Sequence, residues 1–409
     1  MIPKLLAKYA NLLVQTGIRP EAGQKVVINI SVDQPELARL LTEECYKAGV
    51  REVRVEWTDT KLSKLHYQYQ SEDDLATLLP WKIAKLEQDA EDIVCRLFIA
   101  DQAPDALTGV DPQKMMAVRQ RQYPITKPIR DKTDNRDQWL IAGAASPAWA
   151  MTVFPGLSSE EAVEKLWTSI FESVRLTEDN DANAAWDEHN RTLKEKYDKL
   201  NAYGFDRVHY ESANGTNFTC GLIPGAAWLG GGELNDLGRF FNPNMPSDEV
   251  FTTPKRGVAE GRVVATKPLS YNGQIIDGFW FEFENGKAVR WDAEVGKDAL
   301  DSMLASDENA GYIGELALVP VDSPINRSGI LYYNTLFDEN ASCHIALGRG
   351  FSNLLPDYKN KTEEELFEMG CNVSMIHTDF MMGSDDMKIT GFTADGEEVL
   401  IFRDGNWAI

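Results

Sequence analysis

The sequence predicts two domains of different fold class: an N-terminal α/β domain with an open, largely parallel sheet over residues 1–203, and a mainly antiparallel β (α+β) domain over residues 204–409. The 409 residues exceed the size at which a single hydrophobic core stops growing. The first half alternates between helix-period and β-branched runs, whereas the second half consists of short apolar runs separated by turn dipeptides. A hydrophobic content of 43% is sufficient to form two buried cores.

The first half follows a strand, helix, strand order, which requires parallel crossovers. Gly49 ends the second helix as a C-cap, and Ser158 or Ser159 begins the clearest helix, with two glutamates in its first turn. The predicted elements are helix 5–14, strand 24–30, helix 34–48, strand 51–57, helix 81–86, strand 92–100, strand 138–145, helix 158–175 and helix 182–200.

The second half contains turn dipeptides that are typical of β-hairpins. One helix is expected near residues 297–305, and we interpret the glycines at 230–232 as a tight loop. The turn dipeptides are Asn214-Gly215, Asn272-Gly273, Asp277-Gly278, Asn285-Gly286, Asp395-Gly396 and Asp404-Gly405.

Composition excludes several classes of function. A net charge of −23 argues against binding a nucleic-acid backbone. No stretch reaches the roughly 18 apolar residues of a membrane-spanning helix, so no membrane partner is expected. The chain has neither GxGxxG after its first strand nor a P-loop. Five scattered cysteines without a CxxC pair favour free thiols in a reducing, cytoplasmic location.

Two of the chain's five histidines, His344 and His377, lie near Glu339 and Asp379 in sequence. His377 and Asp379 would share one side of an extended strand, and a turn could bring Glu339 beside His344. Imidazoles mixed with carboxylates are typical of hydrolytic metal sites. We interpret the three other histidines, His66, His189 and His209, as structural or solvated.

Two further carboxylates stand in unusual sequence surroundings. Glu249 follows a proline-rich loop, and Glu315 interrupts the apolar run YIGELALVP. Burial of an unpaired charge is costly, so a buried glutamate needs a partner. The partner is either a metal ion or a nearby Arg or Lys, and the residue pattern alone leaves both alternatives open.

Several blocks of the sequence resemble the aminopeptidase T and aminopeptidase S family of bacterial metallo-aminopeptidases. The resemblance extends in order over most of the chain. The blocks are SPAWAMTVFPGLSSEEAVEKLW, NPNMPSDEVFTTP, TKPLSYNG, GYIGELALVP, NTLFDENASCHIALG, HTDFMMGS and FRDGNWA.

The resemblance implies a cytoplasmic exopeptidase that releases N-terminal residues from peptides. It also implies a homodimer and two divalent metal ions per subunit, with Zn²⁺ or Co²⁺ as the first candidates and Mn²⁺ or Mg²⁺ as alternatives. One carboxylate among Glu249, Glu315 and Glu339, with Glu315 as the first candidate, would shuttle the proton to the leaving amine. The implied metal ligands are Glu249, Glu315, Glu339, His344, His377 and Asp379.

The chain departs from the family pattern at Phe351, where the family often has a tyrosine thought to stabilise the transition state. The three explanations are another donor such as Tyr358, a deliberately altered site, or reduced or different activity; we favour an active natural variant. The alternative function is a metal-binding protein that recognises peptides with weak or no hydrolysis. A metal-dependent phosphoesterase is disfavoured, because no Arg or Lys cluster lies beside the candidate ligands.

Overall fold

The computed structural model describes residues 2–272 and 274–409, so Gly273 of the predicted Asn272-Gly273 turn lies outside the described residues. The chain divides into two compact units. The first runs to Asp187 and includes Gly232–Pro246, and the second comprises Glu188–Gly231 and Ser247–Ile409. The predicted domain limits of 1–203 and 204–409 stay a prediction.

Helices in the first unit begin with strong start signals. Ser158 forms a capping box with Glu161 at the start of α8, and prolines open four of the helices. The elements up to residue 203 are α1 Ile2–Leu12, a π-helical turn Leu13–Ile18, β1 Lys25–Ser31, α2 Pro35–Lys47, β2 Glu52–Thr58, α3 Thr60–Tyr69, α4 Glu72–Ala76, α5 Pro80–Asp92, β3 Cys95–Ala100, α6 Pro112–Arg130, β4 Trp139–Gly143, α7 Pro147–Val153, α8 Ser159–Ser173 and α9 Ala182–Tyr203.

Short strands dominate the remainder of the chain. Its helices are α10 Lys297–Leu304, α11 Pro324–Ser328, α12 Thr335–Asp338 and α13 Glu363–Met369, with 3₁₀ turns at Glu339–Ala341, Ser352–Leu354 and Tyr358–Asn360. Its strands are β5 Phe205–Glu211, β6 Asn217–Leu222, β7 Glu233–Leu234, β8 Phe240–Phe241, β9 Asn244–Met245, β10 Val250–Thr252, β11 Pro254–Val264, β12 Leu269–Tyr271, β13 Gln274–Ile276, β14 Trp280–Glu284, β15 Lys287–Asp292, β16 Ile313–Leu318, β17 His344–Gly348, β18 His377–Met381, β19 Lys388–Thr393, β20 Glu398–Arg403 and β21 Asn406–Trp407.

The first unit is built on a parallel sheet with strand order β2-β1-β3-β4-β9, which confirms the predicted α/β class. Helix α6 was not predicted, because Pro124 and Pro128 inside it are strong signals against a helix. Strand β9 was also not predicted, because two residues show no periodicity. Across the described residues, no helix has the length and apolar character required to cross a bilayer.

The second unit contains two large antiparallel sheets and the two-stranded antiparallel pair β12-β13, which agrees with the predicted antiparallel class. The larger has the order β15-β14-β11-β6-β5-β19-β20-β21, and the smaller has the order β10-β16-β17-β18. One hydrophobic core uses residues from both sheets. Phe380 on β18, for example, contacts the rings of Phe279 and Phe281 at centroid distances of 5.4 and 5.1 Å. Alternate residues of the smaller sheet therefore face the core, which leaves its opposite face for other side chains.

Candidate metal centre

One face of the four-stranded sheet carries most of the predicted ligands. Glu249 immediately precedes β10, Glu315 lies on β16 and His344 begins β17, while His377 and Asp379 are on β18. Their sequence neighbours point into the core instead, as Leu316, Ile345 and Phe380 do. The alternation of side chains along each strand thus sorts apolar residues to one face and candidate ligands to the other.

Small residues lie across from the candidate ligands on neighbouring strands. Ala346 is paired with both Glu315 and Asp379, so an alanine separates the two carboxylates. Gly348 is paired with His377, and His344 is paired with Ala317 on β16. Because alanine and glycine fill little volume on this face, the longer acidic and imidazole side chains have room to converge.

The structure brings five of the six predicted residues into two groups of three. The donor atoms of Glu249, Glu315 and His344 lie within 4.8 Å of one another, as do those of Glu315, His377 and Asp379. Glu315 belongs to both groups. His344 Nε2 is 3.3 Å from Glu249 Oε2, and His377 Nε2 is 3.1 Å from Glu315 Oε2 and 3.3 Å from Asp379 Oδ1.

The sixth residue, Glu339, belongs to neither group but is close enough for its charge to interact with them. It begins the 3₁₀ turn after α12 and is buried. Burial raises the pKa of Glu339 well above its usual value, and the negative charges of Glu249 and Asp379 add to this effect. Glu339 therefore adds a fourth carboxylate to the charge balance of the site.

The carboxylates and imidazoles strongly perturb one another. Burial raises the pKa of Glu315 to about 7, and the charges of Asp379 and Glu249 act in the same direction. Although burial opposes it, the positive charge of His377 lowers the pKa of Asp379 to about 2. Burial also opposes protonation of His344, yet Glu249 and the other carboxylates raise its pKa to about 10. The dominant field of the site is negative, which favours a cation.

A backbone carbonyl fixes the orientation of the His377 ring. His377 Nδ1 lies 2.7 Å from the carbonyl oxygen of Arg349. Because a carbonyl oxygen only accepts, Nδ1 carries a hydrogen and donates it, and Nε2 is the ring nitrogen directed at the carboxylates. Metal-binding histidines are commonly oriented by such a contact.

Comparisons with known proteins identify the family. A model described as thermophilic metalloprotease (M29) matches residues 3–407. The chain belongs to the thermophilic metalloprotease family. The resemblance seen in the sequence is thereby confirmed, and the family places this metalloprotease among the hydrolases.

Relatives of this metalloprotease are similar over the full chain. Aminopeptidase AmpS of Bacillus subtilis is 41% identical over 404 residues, which cover 98% of each chain. Aminopeptidase T of Thermus thermophilus is 36% identical over 406 residues, which cover 99% of this chain and 98% of the relative. The solved structure of wild-type AmpT from Thermus thermophilus matches with a TM-score of 0.90 and 35% identity, covering both chains completely. The fold of this metalloprotease is therefore that of AmpT.

The donor set of this metalloprotease fits a divalent metal ion. Asp379 Oδ1 is buried and accepts no well-aligned hydrogen bond, although His377 Nε2 lies 3.3 Å away. Among the charged groups that the structure describes, only the two imidazoles lie within ion-pair distance of Glu249, Glu315 and Asp379. A buried carboxylate oxygen without a donor is costly, and a metal ion would satisfy it. The sequence left either a metal ion or an Arg or Lys as the partner of Glu315, and no Arg or Lys among the described residues forms an ion pair with it.

Phe351 lies beside the site, as its sequence position suggested. Its ring centroid is 5.0 Å from that of His377 and 5.2 Å from that of Phe251. Tyr358, the suggested replacement for the missing hydroxyl, packs against a small separate cluster that includes Leu355 and Leu366.

The sequence did not reveal Asn340, which links two segments of the site. The backbone N–H of Asp248 donates to Asn340 Oδ1 at 2.6 Å, and Asn340 is fully buried. This bond joins the neighbour of Glu249 to the neighbour of Glu339 across 92 positions of sequence. No spacing rule predicts so distant a contact; only its asparagine type, next to a candidate ligand, was a signal.

Proposed function

We propose that this metalloprotease is a metal-dependent aminopeptidase that hydrolyses N-terminal residues from peptides with two divalent ions per subunit. The observation that carries the proposal is the position of Glu315, whose carboxylate belongs to both donor groups. A carboxylate shared by two groups of donors is suited to bridging two cations, because its anionic oxygens offset their repulsion. The names of AmpS and aminopeptidase T support the aminopeptidase assignment.

The proposed ligands are Glu249, Glu315, Glu339, His344, His377 and Asp379. When bound, divalent ions polarise a peptide carbonyl and make water a stronger acid. Mixed imidazole and carboxylate donors suit Zn²⁺ or Co²⁺, with Mn²⁺ and Mg²⁺ as weaker candidates.

The chain's own residues supply binding and proton transfer in this proposal. The negative carboxylates attract the protonated α-amine of a peptide, which selects the free N-terminus. Glu315 lies between the two groups, and a carboxylate oxygen of Glu315 that holds no ion would accept a proton from the attacking water and return it to the leaving amine nitrogen. The Arg349 carbonyl holds the His377 ring in place, and the buried surroundings of His344 limit access of bulk water.

The experiment is hydrolysis of aminoacyl anilides and short peptides by purified protein. We expect activity that stops with a chelator and returns with Zn²⁺ or Co²⁺. His344→Ala should abolish both metal binding and turnover. His209→Ala is the matched control, because His209 bonds to Thr219 Oγ1 on the other sheet. Turnover by metal-free His344→Ala protein would contradict the proposal.

Phe351 favours a second candidate, a peptide-recognition protein with weak or no hydrolysis. Phenylalanine has no O–H to donate to a developing oxyanion, and loss of one such donor lowers kcat by about 100- to 1,000-fold in other hydrolases. Binding of both metal and peptide without turnover, even with Zn²⁺ and Co²⁺ tested separately, would support this candidate against the first.

We also propose a homodimer in the cytoplasm. Helix α3 has no buried residue, and Leu62, Leu65 and Tyr69 on it are exposed, as expected of a surface that a second subunit covers. All five cysteines are free and buried, which fits a reducing compartment. A sedimentation experiment at micromolar concentration that gives only monomer would overturn the dimer.

A further inference from the structure

We propose that Phe251 and Phe351 form the wall of a subsite that binds an uncharged apolar or aromatic side chain of the peptide's N-terminal residue. The inference rests on the proposed aminopeptidase function and names the class of substrate that the site prefers. We call these two residues the aromatic wall.

Among the described candidate ligands, His377 is the most exposed. Glu315 and His344 are almost completely buried, at 4% and 1% exposure, and Glu249 and Asp379 are nearly so. The His377 side chain, in contrast, is 28% exposed. A peptide that approaches these carboxylates therefore passes the exposed side of the His377 ring.

The aromatic wall lies against the His377 ring. The Phe351 ring lies 5.0 Å from the His377 ring at an angle of 53°, and Phe251 packs edge-on against Phe351 at 5.2 Å and 64°. Both phenylalanines are only half-buried. The wall thus presents uncharged aromatic surface next to the exposed His377 imidazole. Apolar side chains bind favourably against such a surface because both lose contact with water.

Hydrogen bonds hold both residues of the wall in place. The Phe351 N–H donates to Thr253 Oγ1 at 3.3 Å, and Thr253 Oγ1 donates to the Gly314 carbonyl at 2.9 Å. Phe251 exchanges backbone bonds of 2.8 and 3.0 Å with Leu229. The rings are therefore carried by fixed backbone, which is what a subsite needs in order to discriminate between substrates.

The chemistry of an amino terminus places a side chain beside this wall. The α-amine and the first side chain of a peptide are attached to the same carbon, so a carboxylate cluster that holds the amine keeps the side chain within a few bonds of it. A carboxylate side chain there would be repelled by Glu249 and Glu315 and would lose water against the rings. An apolar side chain at the same position is not repelled, and its removal from water against the rings is favourable.

The experiment compares kcat/KM for phenylalanyl, leucyl, alanyl, lysyl and glutamyl anilides with the metal-loaded protein. We expect phenylalanyl and leucyl substrates to exceed the alanyl substrate by about tenfold or more. Phe251→Ala should reduce the phenylalanyl-to-alanyl ratio by on the order of tenfold, and Phe351→Tyr should retain the ratio because the ring remains. Phe392→Ala, at a half-buried phenylalanine on β19, is the matched control and should leave the ratio unchanged.

A second readout protects the test against misfolding and against failure of the proposed function. L-Phenylalaninamide and L-alaninamide are titrated calorimetrically into metal-loaded wild-type, Phe251→Leu and Phe251→Ala proteins of equal metal content. Tighter binding of the phenylalanine amide that weakens in the order wild type, Leu, Ala supports the wall even if no anilide is hydrolysed. A wild-type preference for lysyl substrates, or an unchanged ratio in Phe251→Ala, would overturn it while leaving the aminopeptidase proposal intact.

Discussion

Two buried carboxylate sites in this chain balance their charge in different ways. Asp101, after strand β3 of the first unit, is 5% exposed and its carboxylate accepts hydrogen bonds from the Gln34 amide and from Ser31. Glu315 and Asp379 of the second unit lie in a group with histidine, close to Glu249. One carboxylate is satisfied by neutral donors of the protein, whereas the others face each other across an alanine.

The difference teaches how a structural carboxylate is distinguished from a candidate ligand. Burial raises the pKa of Asp101 to about 6 and that of Glu315 to about 7, so the pKa values alone do not separate the two sites. What separates them is the lack of a well-aligned donor at Asp379 Oδ1 and the number of carboxylates that lie close together. Protein donors complete the first site, and the second requires an added cation.

The largest expected difference in activity between the two sites follows the change of one carboxylate to an amide in each, Glu315→Gln and Asp101→Asn. Glu315→Gln removes the charge of the shared carboxylate, so we expect both metal ions to be lost or weakened and kcat/KM to fall by more than the roughly 10- to 100-fold that follows loss of an outer-shell partner. Metal content by mass spectrometry and anilide hydrolysis measure this. Asp101→Asn is the matched control and should retain both. Equal loss in the two variants would remove the distinction.

Phe351→Tyr adds a phenolic hydroxyl beside His377 and tests whether the second site lacks a donor. An additional donor to a developing oxyanion can increase kcat by up to about 100-fold, with a smaller change in KM. Phe392→Tyr on β19 controls for a general effect of a new hydroxyl. A kcat that is unchanged or lower, at equal metal content, would show that the wild-type site already has its donor.

Asn340→Ala removes the bond that ties the Asp248 backbone to the turn carrying Glu339. We expect metal affinity to fall by about 10- to 100-fold, because outer-shell contacts orient the ligands. Asn201→Ala is the control, since the Asn201 side chain makes two hydrogen bonds to the backbone of Trp228 and none to a candidate ligand is described. Competition with a fluorescent zinc chelator measures the affinity, and Asn340→Asp, which keeps the acceptor oxygen, should restore part of it. Equal metal affinity in the wild type and all variants would show that Asn340 does not orient the ligands and only packs in the core.

Asp101→Asn is expected to leave activity unchanged. It should change the free energy of unfolding instead. Because the pKa of Asp101 is raised in the folded state, from 3.8 to about 6, its stabilising contribution is complete below pH 3.8 and is lost as the pH rises through 6. The free energy of unfolding of the variant should therefore exceed that of the wild type increasingly between pH 4 and 6, by up to about 3 kcal/mol above pH 6. Urea unfolding at several pH values measures it. A difference independent of pH would contradict the assigned cause.

The sequence predicted the fold class and the main elements well, because their signals are local. The capping box at Ser158 and the alternation of the strands with Glu315 and His377 can be read from a few neighbouring residues. Helix α6 escaped prediction because tertiary contacts override the two prolines inside it, and β9 because it has two residues.

The site could be predicted only in part. The type of residue and the alternation along β18 pointed to His377 and Asp379, and sequence surroundings pointed to Glu249, Glu315, Glu339 and His344. The resemblance joined these six residues into one ligand set. Strand register decides which of them meet, and register depends on pairing between distant segments, as in the alignment of Glu315 with Ala346 and Asp379. The Asn340 bond, the Arg349 carbonyl and the aromatic wall likewise exist only in three dimensions.

The most direct test of the central claim is an anomalous difference map from crystals of the zinc-loaded protein, recorded on both sides of the zinc edge. The account predicts two peaks, one beside Glu249 and His344 and one beside His377 and Asp379, with Glu315 in contact with both. A map without a peak at these residues in protein that hydrolyses anilides would contradict it.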